Sequence, residues 1–192
     1  MGAKMSKARA KIAAQPQGAA SPGGKGRLGA RVQAELVGLG LGIVCVFLLL
    51  ALFSYSTTDP SGNISVGAAA PKNLGGLVGA WAADWLYQLL GYAAYLIPLA
   101  LAVYAVRSMV LRPVASPGWA ALGYAVLVLA FAGTLSLWVG ELRIDRLTVS
   151  AGGFVGESLS SGLIRYFNRP GAGLLLGAGL LASFLFTVNC SL

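Results

Sequence analysis

Residues 73–98 read NLGGLVGAWAADWLYQLLGYAAYLIP, and their reading decides the fold. Pro71-Lys72-Asn73 is a helix-start signal, with Asn73 able to cap the first free backbone N–H groups. From Leu74 to Val106 the only charge is Asp84. An unbroken helix of that length would run roughly 50 Å, against a hydrocarbon core of roughly 30 Å. A bend is therefore expected, at Gly91 or Pro98. The stretch divides into an interfacial helix over 74–90 and a spanning helix over 92–111. Leu74, Leu77, Val78, Trp81, Trp85 and Leu89 share one face of the first helix and suit lipid, the two Trp at headgroup level. Gly75, Gly79 and Ala83 step by four along another face, where a second helix backbone can approach closely.

Working outward, the composition puts the whole chain in the same solvent. It has 192 residues, 57% of them hydrophobic and 10% charged, with mean hydropathy +0.75. Soluble domains carry about 25% charged residues. An all-α integral membrane protein follows, with further uncharged runs at 36–53, 119–140 and 171–188. Trp119 and Trp138 stand at the ends of the third span, as an aromatic belt does. Ser116-Pro117 is a helix start, and Pro170-Gly171 opens the fourth run. Between the last two spans, Phe154/Val155, Leu159, Leu163 and Tyr166/Phe167 recur at helical spacing, which predicts a short amphipathic helix over 152–167 on the surface.

The net charge of +8 comes from 14 Lys+Arg against 6 Asp+Glu. Seven of the 14 (Lys4, Lys7, Arg9, Lys11, Lys25, Arg27, Arg31) precede the first apolar run. Residues 1–35 read as a disordered basic tail suited to an anionic leaflet; nothing in it decides between lipid and DNA. With four spans, the tail and the 107–117 connection share a side and hold nine basic residues, against five (Lys72, Arg143, Arg146, Arg165, Arg169) opposite. The positive-inside rule puts both termini in the cytoplasm.

Gly75-Gly76-Leu77-Val78-Gly79 recurs as Gly152-Gly153-Phe154-Val155-Gly156, so a span–loop–GGxVG helix–span unit is expected to be used twice. Catalytic and ligand patterns are sparse. There is no His, and the two Cys, Cys45 and Cys190, are far apart. GxxxxGK[ST], GxSxG and HExxH are absent. No catalytic, cofactor-binding or metal-binding residue is expected in this chain. Asp84 is the one ionisable group well inside an apolar run. Such a carboxylate raises the suspicion of a proton or ion site, but a solvated or capping group near Lys72 and Gln88 is the favoured reading. A small transporter or channel built of two repeated two-span units is the alternative; it requires Asp84 to face a water-filled cavity.

Thr58-Asp59-Pro60-Ser61 after the first span is followed by NLGGLVGAW (73–81), GYAAYLIPLAL (91–101), AGGFVGESL (151–159) and NRPGAGLLL (168–176). In that order and spacing they resemble the four-span N-terminal domain of FtsK/SpoIIIE-type DNA translocases. The resemblance runs from about Leu36 to Leu192. It implies an inner-membrane anchor at the division septum that couples division to chromosome segregation. It also implies a homo-oligomer, hexameric by family, with septal membrane proteins as partners and no direct DNA contact from the spans. The ATPase motor, with its ATP and Mg²⁺, is expected outside this chain, so the chain itself is expected not to be an enzyme. The weighed contact residues are Asp59 and Pro60 in the first outer loop, Gly75, Gly79 and Ala83 on the small face, Asp84, and Arg165 in the second outer segment.

Overall fold

The computed structural model describes residues 24–60, 71–110, 117–144 and 147–191. The sequence-based readings that fall elsewhere, namely the tail before Gly24, Ser61, Arg112 and the Ser116 cap, lie outside the described residues. The chain runs through α1 (Gly24–Phe53), α2 (Gly76–Leu90), a 3-10 turn (Gly91–Tyr95), α3 (Leu96–Val110), α4 (Pro117–Trp138), strands β1 (Glu141–Ile144) and β2 (Leu147–Ser150), and α5 (Gly153–Ser191). Among the described residues four helical runs are long and apolar enough to cross a membrane: Arg31–Phe53, Gly76–Val110, Gly118–Trp138 and Gly153–Thr187. The expected four-span all-α membrane fold is what the chain adopts. Three local features differ from expectation. The helix of the first span already begins at Gly24, inside the stretch read as tail. Strands β1 and β2 pair as an antiparallel hairpin, Glu141 opposite Ser150, where no strand was expected. Of the two expected bends only Gly91 breaks the helix, at φ 57°. Pro98 sits in the first turn of α3, where its missing N–H has no intrahelical partner to lose.

Large side chains face out and small ones face in. Ala51, Ala83, Ala93, Ala94, Ala132, Ala151 and Ala172 are fully buried, while Leu77, Val78, Leu99, Leu122, Leu174 and Phe184 are exposed. This inversion is what lipid selects: tails solvate Leu as well as a protein core does, so helices gain by bringing backbones close. The largest helix–helix interfaces are α4 on α5 and α1 on α3. A Cβ on Gly38 of α1 would lie 2.9 Å from the Ala105 carbonyl oxygen of α3. Side chain–backbone bonds fasten the same pair: Ser108 Oγ donates to the Ala34 carbonyl at 2.6 Å, and Cys45 Sγ to the Pro98 carbonyl at 3.1 Å.

The last helix is kinked. Asn168 has φ 55° and ψ 174°, and Pro170 follows two residues on. The amphipathic segment and the fourth apolar run therefore meet at an angle. Both GGxVG copies take one local geometry: Gly76 and Gly153 each have φ 63°, and the Gly79 and Gly156 amides donate to the Gly75 and Gly152 carbonyls, each at 3.0 Å.

Candidate functional site

The chain leaving α1 is turned by three polar side chains. Ser54 Oγ donates to the Leu50 carbonyl at 2.6 Å and accepts the Leu74 amide at 2.9 Å. Asp59 is buried, and its two carboxylate oxygens accept the Lys72 and Asn73 amides at 2.8 and 2.9 Å. Asn73 Nδ2 donates to the Ala51 carbonyl, and its Oδ1 accepts the Gly75 amide, both at 2.8 Å. Asn73 thus closes a turn ahead of α2, whose N-cap is Gly75 with no side-chain capping bond, so the expected Asn73 cap is not formed. The amides of residues 72–75 lie ahead of α2 and have no intrahelical acceptor, so leaving them bare would cost about 1–3 kcal/mol apiece. Pro60 follows, half-buried.

The face of α2 that carries Ala80, Ala83, Asp84 and Tyr87 turns inward. Asp84 is only 6% exposed. Its oxygens accept the Tyr55 hydroxyl at 3.1 Å and Gln88 Nε2 at 2.8 Å. This corrects the reading of Asp84 as solvated: the α1–α2 junction closes over it. Burial, then the charge and hydrogen bond of Asp84, push the Tyr55 phenol far above its ordinary range, so it remains a donor. Beside it the Tyr87 and Tyr95 hydroxyls meet at 2.9 Å, and both reach the Leu52 carbonyl. Gly75, Gly79 and Ala83 are occupied within the chain. A Cβ on Gly75 would lie 3.2 Å from Phe47, and one on Gly79 would lie 3.4 Å from the Ala51 Cβ. The large face, Leu74 through Leu89, is exposed as expected.

The second junction repeats the pattern with other residues. Ser150, just before the second Gly pair, meets Ser136 of α4 at 3.0 Å between hydroxyls. A Cβ on Gly152 or Gly156 would run into the Ala132 carbonyl. Arg169 Nη2 donates to the Leu137 carbonyl at 2.8 Å, placing a cation on the last turn of α4. Between hairpin and α5 lies a polar cleft of about 390 Å³ lined by Ser136, Ser150, Glu157, Ser160 and Arg169. It adjoins a second cleft of about 460 Å³ that reaches Trp85 and Gln88 and shares Ser150 and Glu157 with it. The junctions touch directly. The Tyr92 amide donates to the Ala151 carbonyl at 2.9 Å, and Gly91 and Gly153 pack backbone to backbone. Among the described residues no cluster of three or more His, Cys, Asp or Glu is placed to hold a metal ion. The arrangement binds loops to helix ends and presents an open polar cleft.

A family profile described as the 4TM region of DNA translocase FtsK/SpoIIIE matches residues 30–192. The chain belongs to this family. It is 31% identical to the DNA translocase FtsK of Shewanella oneidensis over 174 residues, covering 79% of this chain and 17% of that protein. It is 31% identical to the FtsK of Pseudomonas aeruginosa over 158 residues, covering 79% of this chain and 19% of that protein. It is 35% identical to the FtsK of Vibrio parahaemolyticus over 145 residues, covering 70% of this chain and 14% of that protein. The chain thus spans less than a fifth of the length of these FtsK relatives. No solved structure matches it. With its four apolar helices, this FtsK/SpoIIIE 4TM region is a multi-pass membrane protein.

The weighed residues of the FtsK/SpoIIIE region fall in two places. Asp59, Pro60, Gly75, Gly79, Ala83 and Asp84 gather at the first junction. Arg165 stands apart, exposed on α5. Sequence reasoning missed Ser54, Tyr55, Glu157 and Arg169. Ser54 and Tyr55 directly follow an apolar run, which is the one signal that marked them as junction residues. Glu157 and Arg169 looked like any charges of a surface helix.

Proposed function

We propose that this chain is the membrane anchor and division-site interaction module of a DNA translocase. Both termini lie in the cytoplasm, the spans sit in the inner membrane at the septum, and the outer junctions meet division proteins. Copies associate, hexameric by family resemblance, and ATP- and Mg²⁺-driven DNA pumping resides in sequence outside this chain. The family match over residues 30–192 carries the reading. The geometry supports it: the polar groups of the first junction are spent on loop and helix ends, which suits a rigid platform. Asp59, Pro60, Gly75, Gly79, Ala83 and Asp84 then act by holding the outer surface in shape. Arg165 and the cleft of Glu157 and Arg169 are the features a partner segment can reach. The transporter alternative needs Asp84 beside water, and its partners are Tyr55 and Gln88 instead.

A fluorescent fusion of the chain in dividing cells tests this. The wild type is expected to gather at the septum, and a Glu157→Arg/Arg165→Glu double variant to spread around the membrane at equal abundance. A wild-type fusion with no septal enrichment would overturn the reading. A double variant that stays septal would remove the cleft and Arg165 from it.

A further inference from the structure

The opposite end of the bundle holds a feature the anchor role does not use. A partly open groove of about 90 Å³ runs between α3, α4 and the end of α5. Ala100, Val103, Tyr104 and Tyr124 line its body, and Arg107 and Thr187 complete it. Its walls are almost wholly apolar. A water placed there would find few of the two to four polar partners it needs. The volume fits about three water-sized or methylene-sized groups, a short stretch of acyl chain.

The groove lies at headgroup depth. Arg107 is the first charge after Asp84, at the end of one apolar run, and Thr187 lies on another, whose helix continues to Ser191. Ala120, also in the wall, is in the first turn of a third. Trp119 packs edge-on to Phe186 beside it, with centroids 6.4 Å apart, and is itself exposed. Arg107 is half-buried and has no hydrogen bond or ion pair among the described residues. Glu35, the described carboxylate at this end, is held by Arg31 at 3.0 Å. The connection that follows, residues 111–116, reads LRPVAS and contains no acid. Thr187 Oγ1 is buried with no partner among the described residues. A cation with no counter-ion among the described residues and a methylene-sized apolar slot stand together at the end of a span.

We propose that this groove binds one anionic phospholipid. Part of an acyl chain lies against Val103, Tyr104 and Tyr124, and the phosphate, at the mouth of the apolar slot, pairs with Arg107. Basic pockets between spanning helices are a known form of headgroup recognition.

The test uses the full chain reconstituted in equal parts of phosphatidylglycerol and phosphatidylcholine, with the lipids that survive detergent extraction quantified by mass spectrometry. The wild type is expected to retain phosphatidylglycerol in preference. Arg107→Gln should lower the ratio about five-fold, the equivalent of ~1 kcal/mol for one basic residue at an anionic surface, and Arg107→Lys should restore most of it. Arg165→Gln, at the other end, should leave the ratio unchanged. Ala100→Trp, which fills the slot, should lower retention of both lipids. The proposal is overturned by an unchanged ratio in Arg107→Gln, by an equal fall in Arg165→Gln, or by undiminished retention in Ala100→Trp.

Discussion

Asp59 holds two amides with one side chain, and neither amide has another described partner. Charge-assisted bonds of this kind are the stronger ones. Asp59→Ala is expected to destabilise the chain by about 1–3 kcal/mol. The change should show as faster hydrogen exchange at the Lys72 and Asn73 amides, with the amides of α4 unaffected. Exchange that rises equally throughout would mean that Asp59 holds up the whole bundle and not one loop. The contrast with Asn73 shows what was legible. Asn73 accepts the Gly75 amide, two residues away, in the turn before α2, and the Pro-Lys-Asn pattern announces a turn there. Asp59 reaches partners 13 and 14 residues on, so only the path of the loop could reveal it. Asp84 was misread for the same reason. Its helix face was plain, but the phenol that covers it belongs to Tyr55, 29 residues earlier.

At the level of elements, two equivalent glycines have unequal surroundings. Gly76 and Gly153 share φ 63°. A Cβ on Gly76 meets nothing within 4 Å, whereas one on Gly153 lies 2.6 Å from the Gly91 nitrogen and the Leu89 carbonyl. Gly76→Ala should therefore cost only the left-handed penalty, about 1–2 kcal/mol. Gly153→Ala should cost clearly more, because backbone on α2 must move. Unfolding by dodecyl sulfate titration in mixed micelles compares the two, and equal losses would refute a tight junction at Gly91–Gly153. Asn168 makes the opposite case. It is a residue with a side chain in a region of φ and ψ that is essentially glycine's, at about 1–3 kcal/mol. Asn168→Gly should raise stability by about 1 kcal/mol net of the extra freedom of the unfolded chain, and Asn168→Val should lower it. The break at Gly91 was legible because an apolar run too long for the bilayer needs one. The hairpin was not. Its strands are four residues each, too short for alternation to stand out among charges that already read as a surface helix.

At the scale of the whole molecule, the structure sorts its helix ends into two layers. Ser108 meets Ala34, and Trp119 meets Phe186, at one end. Tyr92 meets Ala151, and Arg169 meets Leu137, at the other. Direction alternates along the chain, so one fact of sidedness fixes all four spans. The proposed orientation takes it from the basic residues. Nine of the 14 belong to the tail and the 107–117 connection, and short segments rich in Lys and Arg stay cytoplasmic. Single cysteines in a background without Cys45 and Cys190 read this out. Thr58→Cys and Glu157→Cys, both at exposed positions, should react with a membrane-impermeant maleimide in intact cells. Gly118→Cys, exposed in the other layer, should react only after lysis. The inverse pattern would place the tail outside and detach it from any cytoplasmic motor. Labelling of Thr58→Cys without Glu157→Cys would mean that α2 with α3, or α4, fails to cross, because these are the two crossings that separate the positions.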